Sequence, residues 1–85
     1  MRIHIKYLVN IRELTGKKQE YVDFPNSSTL KDFADWLQEQ YALVLPSRSI
    51  MTLLNGKNWN CYPEKIATKV QDGDEIVLFP PISGG

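Results

Sequence analysis

Eighty-five residues suffice for one domain with a modest core. Apolar residues make up 42% and charged residues 24%, and ten basic side chains balance ten acidic ones mixed along the chain. That leaves no basic patch for nucleic acid and no apolar run long enough to span a membrane, while a single cysteine excludes an internal disulfide framework and fits a reducing cytoplasm.

Met1-Arg2-Ile3-His4-Ile5 alternates at once, unlike a signal peptide. The alternation runs from Arg2 to Val9 and predicts a half-buried strand. Ile3, Ile5, Tyr7 and Val9 share one face; Arg2, His4, Lys6 and Leu8 share the other, so Leu8 is an apolar residue on a polar face. Asn10 is placed to cap a short helical turn over Ile11-Arg12-Glu13-Leu14, and Gly16 to end it. Lys18 to Phe24 predicts a second strand, antiparallel to the first, with Val22 and Phe24 inward. Pro25-Asn26-Ser27 breaks it.

Ser28 or Thr29 then caps the one long helix, and Asp32 stands at capping-box spacing from Thr29. Leu30, Phe33, Ala34, Leu37 and Tyr41 form a single apolar stripe with helical period. Trp36 lies on its flank and should be part buried. One stripe needs one sheet to pack on. Leu43 and Leu45 are expected to plug the core edge, and Ile50 to Leu54 to form a third strand. Asn55-Gly56 is a strong hairpin signal, because a type I′ turn needs positive φ at both central positions. Lys57 to Tyr62 is the expected returning arm. A turn follows at Pro63 to Lys65, with Ile66 and Val70 as core plugs. Asp72-Gly73-Asp74 is a tight turn feeding the last strand, Glu75 to Phe79. There Ile76 and Leu78 share one face, and Glu75, Val77 and Phe79 the other. The result is an α+β fold: a mixed sheet of four to five strands covered on one face by one long helix. If the first and last strands are neighbours they run parallel, with the helix as crossover.

The last strand runs into Pro80-Pro81. Each ring fixes φ and removes a backbone donor, so the strand must stop near Phe79 and continue as a short, stiff stem. Ile82-Ser83-Gly84-Gly85 then shrinks to a bare carboxylate. Glycine permits the closest backbone approach. Such a tail suits a narrow channel in another protein. We therefore divide the chain into a domain over 1–81 and a C-terminal tail over 82–85.

No catalytic constellation is apparent. His4 reads as a solvated surface residue and Cys61 as a packed thiol. One Cys and one His do not make a usual zinc site. Asp72, Asp74 and Glu75 lack EF-hand spacing, and turn chemistry accounts for both aspartates. The C-terminal carboxylate remains. It is a poor electrophile until condensed with ATP into an acyl-adenylate, which a sulfur nucleophile can attack. The product is a thiocarboxylate, and every catalytic group can belong to another protein.

Three segments carry a resemblance to a known family. Phe79-Pro80-Pro81-Ile82-Ser83-Gly84-Gly85, Asp72-Gly73-Asp74-Glu75-Ile76 and Ile11-Arg12-Glu13-Leu14-Thr15-Gly16 are similar to MoaD, the small subunit of molybdopterin synthase. The resemblance implies a β-grasp, ubiquitin-like fold. It implies adenylation of Gly85 by a MoeB-like enzyme and thiocarboxylation with sulfur from a donor such as a cysteine desulfurase. It further implies sulfur transfer to the pterin precursor of molybdenum cofactor biosynthesis. Pro80, Pro81, Ile82, Ser83 and Gly84 would enter a MoaE-like large subunit, two small subunits flanking a dimer of large ones. The chain itself would bind no cofactor and no metal; ATP belongs to the activating enzyme. Leu8, Phe79 and Trp59 are the expected partner-binding residues, an apolar patch beside the tail. The thiamin carrier ThiS shares the fold and the Gly-Gly end but is typically shorter and usually lacks the Phe-Pro-Pro stem. The stretch from Asn55 to Asp72 is longer than in the bacterial small subunits compared with it. That departure leaves other clients open: thiamin, tRNA thiolation, tungsten pterin, or covalent attachment to lysines as a ubiquitin-like modifier.

Overall fold

A computed structural model describes residues 1–81. Five strands and two helices follow in the order β1 (Arg2–Tyr7), α1 (Asn10–Thr15), β2 (Gln19–Asp23), α2 (Leu30–Tyr41), β3 (Met51–Leu54), β4 (Lys57–Asn58) and β5 (Glu75–Phe79). They form one mixed sheet in the order β2-β1-β5-β3-β4. β1 pairs antiparallel with β2 and parallel with β5, and β5 pairs antiparallel with β3. This is the β-grasp arrangement, with the first and last strands side by side near the sheet centre.

The period-two pattern places Ile3, Ile5 and Tyr7 of β1, and Ile76 and Leu78 of β5, on one face, all fully buried. The stripe of α2 covers them with Leu30, Phe33, Ala34 and Leu37. Burying a Leu, Ile or Phe side chain contributes roughly 1.5–3 kcal/mol, so this layer dominates the stability of the domain. The capping box forms as expected. Thr29 Oγ1 accepts from the Asp32 amide, and Asp32 accepts from the Thr29 amide at 2.8 Å. Trp36 is part buried, stacking on Phe33 and edge-on to Phe24 and Tyr41.

Two turns fasten the start of β5. Asn55 and Gly56 both have positive φ, 52° and 82°, as a type I′ hairpin requires. The Asn55 side chain donates to Asp74 Oδ1 and accepts from the Glu75 amide. Asp72 accepts from the Arg2 amide at 2.7 Å, and Asp74 from the Gln71 amide at 2.8 Å. Both aspartates therefore do turn and strand-start work.

Four local expectations are corrected. β1 stops at Tyr7, and Val9 is 67% exposed instead of lying on the core face. Asn10 is already helical; Val9 occupies the capping position, with no side-chain cap. The returning arm of the hairpin is only two residues long, because the chain turns into a 3₁₀ helix at Trp59–Cys61. That turn carries Trp59 into the core, where it is 5% exposed, and leaves Cys61 at the surface instead of packed. The 55–72 region thus closes the end of the core: Tyr62 donates to Leu54 O at 2.6 Å, and Val70 is buried.

β2 hides a polar clamp. Register with Ile5 puts Glu20 on the core side of the sheet, where its carboxylate accepts hydrogen bonds from Tyr7 and Tyr41 and pairs with Lys17 at 3.1 Å. Burial by itself pushes the Glu20 carboxyl up, but the two hydroxyl donors and the ammonium outweigh it and hold the group below its ordinary value of 4.5. A folded value below the unfolded one means that the stabilisation is present above the unfolded value and is lost as pH falls through the folded one. Glu20→Gln is therefore expected to lower stability by about 1–3 kcal/mol near neutral pH. The deficit should shrink as the wild type is acidified below about pH 4.5. Thermal melts of both proteins from about pH 7 to about pH 3 check this; a constant gap across that range would assign the loss to packing.

Candidate functional site

β5 is the strand that leads into the tail, and it is held on both sides. Its Val77 is paired with Lys6 of β1 and Leu53 of β3. The parallel ladder continues one residue past β1, with Leu8 N–H donating to Leu78 O at 2.9 Å. β5 ends at Phe79 against Pro80, as the missing proline donor requires. The stem therefore leaves from a stiff central strand rather than from a frayed edge. Pro80 is part buried and Pro81 exposed. Ile82, Ser83, Gly84 and Gly85 lie outside the described residues.

The sheet face away from α2 is the candidate docking face. Ile76 and Leu78 point to the core, so Val77 and Phe79 point the opposite way. Tyr7 likewise turns Leu8 outward. Register sets Met51 beside Phe79, and continuing the β1–β5 ladder sets Leu8 on its other side. The next row is Lys6, Val77, Leu53 and Asn58. Leu8, Phe79, Met51, Val77 and Leu53 thus make one apolar area at the root of the tail, each part buried. Contiguous apolar surface of this kind marks interaction sites.

Leu8 and Phe79 stand together on this face, as their alternation predicts. Trp59 does not join them. It faces the core, and its place in the patch is a correction: the chain enters a 3₁₀ turn at Trp59 and leaves the plane of the hairpin. Met51, Leu53 and Val77 complete the area and are not anticipated from the tail. The signal for the first two was present in Ile50 to Leu54, which is apolar on both alternating faces. Its inner face even carries Thr52, 2% exposed, whose hydroxyl finds no partner among the described residues. A strand with a threonine inside and Met and Leu outside is shaped for burial on both sides.

Away from the tail the same face turns polar. The Tyr21 ring stacks with the His4 ring and meets the Arg2 guanidinium, each 4.5 Å from its centroid. His4 is held by Gln19 at 2.7 Å and faces Glu75 at 3.5 Å, which also meets Lys6. These contacts occupy the histidine in the surface ladder. No group of His, Cys, Asp and Glu among the described residues is arranged to hold a metal ion. No described helix is long and apolar enough to cross a membrane. Of the chemistry read from the sequence, what the geometry supports is presentation: a rigid strand, a proline stem and an apolar face beside it.

Comparison with known proteins places this arrangement. The model of the ThiS family matches residues 5–85, through the final glycine. The molybdopterin synthase sulfur carrier subunit of Drosophila yakuba is 26% identical over 87 residues, covering all of this chain and 92% of that one. Small archaeal modifier protein 3 of Haloferax volcanii is 26% identical and covers both chains fully. Among solved structures, the complex of subunits 1 and 2 of molybdopterin-converting factor from Helicobacter pylori superposes with a TM-score of 0.69. It shares 22% identity and full coverage of both chains, which shows the shared fold.

Proposed function

The chain belongs to the ThiS family, and from that membership we propose that it is a sulfur carrier acting as the small subunit of a molybdopterin synthase. The terminal carboxylate of Gly85 attacks the α-phosphorus of ATP on a MoeB-like adenylating enzyme and releases pyrophosphate. A persulfide sulfur supplied by a donor such as a cysteine desulfurase then displaces AMP to give an acyl disulfide, and a thiol cleaves that disulfide, being itself oxidised to a disulfide, to release the thiocarboxylate. A MoaE-like large subunit receives the tail, and the sulfur passes to a pterin precursor. The observation that carries this reading is the family match running to Gly85 on a chain whose central strand leads into that terminus. The test is to incubate the protein with its adenylating enzyme, ATP and a sulfur donor and to weigh it. One oxygen should be replaced by sulfur.

One observation favours a second reading. The archaeal modifier relative covers this chain as fully, at the same identity, as the fly carrier subunit. Carrier and modifier share the activated glycine, so lysine conjugates of the chain in its own cells would favour the modifier.

Docking gives an independent check. Phe79→Ala and Leu8→Ala each remove an apolar side chain that the partner covers. Each should weaken binding to the large subunit by about 1–3 kcal/mol, as interface anchors do. Stability should change little, since neither residue packs in the core. Titration with parallel thermal melts separates the effects, and a collapse of the fold without loss of affinity would reverse the assignment of faces.

A further inference from the structure

Val9 has φ 55° and ψ −127°. Leu8 O accepts from the Ile11 amide at 3.1 Å, so residues 8–11 make a turn with Val9 at its first central position. Those angles are close to those of a type II′ turn, whose first central position is dominated by glycine. A β-branched residue there is a genuine outlier. Burial of Ile11 calls for the turn, but nothing in the core calls for a valine side chain in it: Val9 is 67% exposed, more than any other large apolar side chain among the described residues.

The neighbours hold Val9 in place. Leu8 N–H is tied to Leu78 O, and the Arg12 amide donates to Val9 O at 3.2 Å. Arg12 Nε donates to Tyr7 O at 3.1 Å, and Ile11 is fully buried. Strain fixed so firmly by its surroundings persists mainly at sites where the side chain is used.

We propose that Val9 is a contact residue for the adenylating enzyme, held outward by this turn at the rim of the tail root. The inference rests on the carrier reading. Its occupant follows from reach. Pro80 to Gly85 is six residues, and fully extended they span about 20 Å. An enzyme that closes around the Gly85 carboxylate must therefore stand within that distance of Phe79. Val9 follows Leu8, which is bonded to β5 beside Phe79, so its exposed side chain lies within that reach, on the rim of the surface such an enzyme must approach. Activation is also the step that every client pathway shares, which makes the adenylating enzyme the partner to test.

Val9→Gly and Val9→Asn keep the turn, since both residues adopt positive φ readily. Each is expected to melt no lower than wild type yet to bind the adenylating enzyme about tenfold more weakly, the loss of one buried apolar contact. Wild-type affinity in both variants overturns the proposal. So does a weaker affinity that tracks a lowered melting temperature, because Val9 would then be holding the fold. Sulfur loading of the wild type is measured alongside. If the wild type takes up no sulfur, the carrier reading falls and this inference with it. If it loads normally and the variants bind as it does, only the role of Val9 is lost.

Discussion

A chain lacking only Gly85 is expected to take up no sulfur while melting with the full-length protein. Adenylation needs a carboxylate at the distance from the strand that the enzyme is built for. Deletion moves the carboxylate back by one residue, roughly 3.5 Å. Effects of position on this scale are large, because a misplacement of about 1 Å can cost about a hundredfold in rate. The new terminus would also follow Ser83, so the penultimate residue gains a side chain where two glycines allow close approach. Stability should be indifferent, since the buried cluster is assembled wholly from residues 3–78 and terminal residues outside a core contribute little. Mass spectrometry after incubation with the adenylating enzyme, ATP and a sulfur donor reads the outcome. Sulfur on the truncated protein would refute a role for Gly85.

The parts legible in the sequence were those governed by local rules. The stripe of α2 and its Thr29–Asp32 capping box follow from helical spacing, and Asn55-Gly56 names its own turn. Alternation put Leu8 and Phe79 on the same outer face once β1 and β5 were placed together. What escaped depended on longer-range packing. Val9 continues the alternation perfectly, yet the chain must turn at residue 8 to bury Ile11, so the pattern overruns the strand. Glu20 looks like an ordinary exposed strand residue, because its two donors, Tyr7 and Tyr41, come from separate elements. Met51 and Leu53 were visible as apolar residues but not as a face, since Thr52 gives the strand a polar centre that inverts the usual inside–outside reading.

Trp59→Ala is expected to lower stability by about 3–5 kcal/mol, the usual cost of removing a large buried aromatic ring, and to leave the affinity of the folded fraction for its partners unchanged. Trp59 fills the end of the core beneath a 3₁₀ turn that is itself well tied. Asn58 Oδ1 accepts from the Asn60 amide at 2.9 Å, and the Tyr62 amide donates to Trp59 O at 3.2 Å. Those ties keep the backbone from collapsing into the space left by the indole, so the cavity term should be near its full size. A loss of this size is a large share of the roughly 5–15 kcal/mol that holds a small domain together. Trp59→Phe retains most of the apolar volume and should recover a substantial part of the loss. Denaturant unfolding measures the stability change, and titration at low temperature, where the variant is still folded, measures the affinity. The opposite pair of results, full stability with weakened docking, would put the indole on the partner's side. With the ring only 5% exposed, a partner has almost no surface of Trp59 to touch, and that is why the effect should appear in folding.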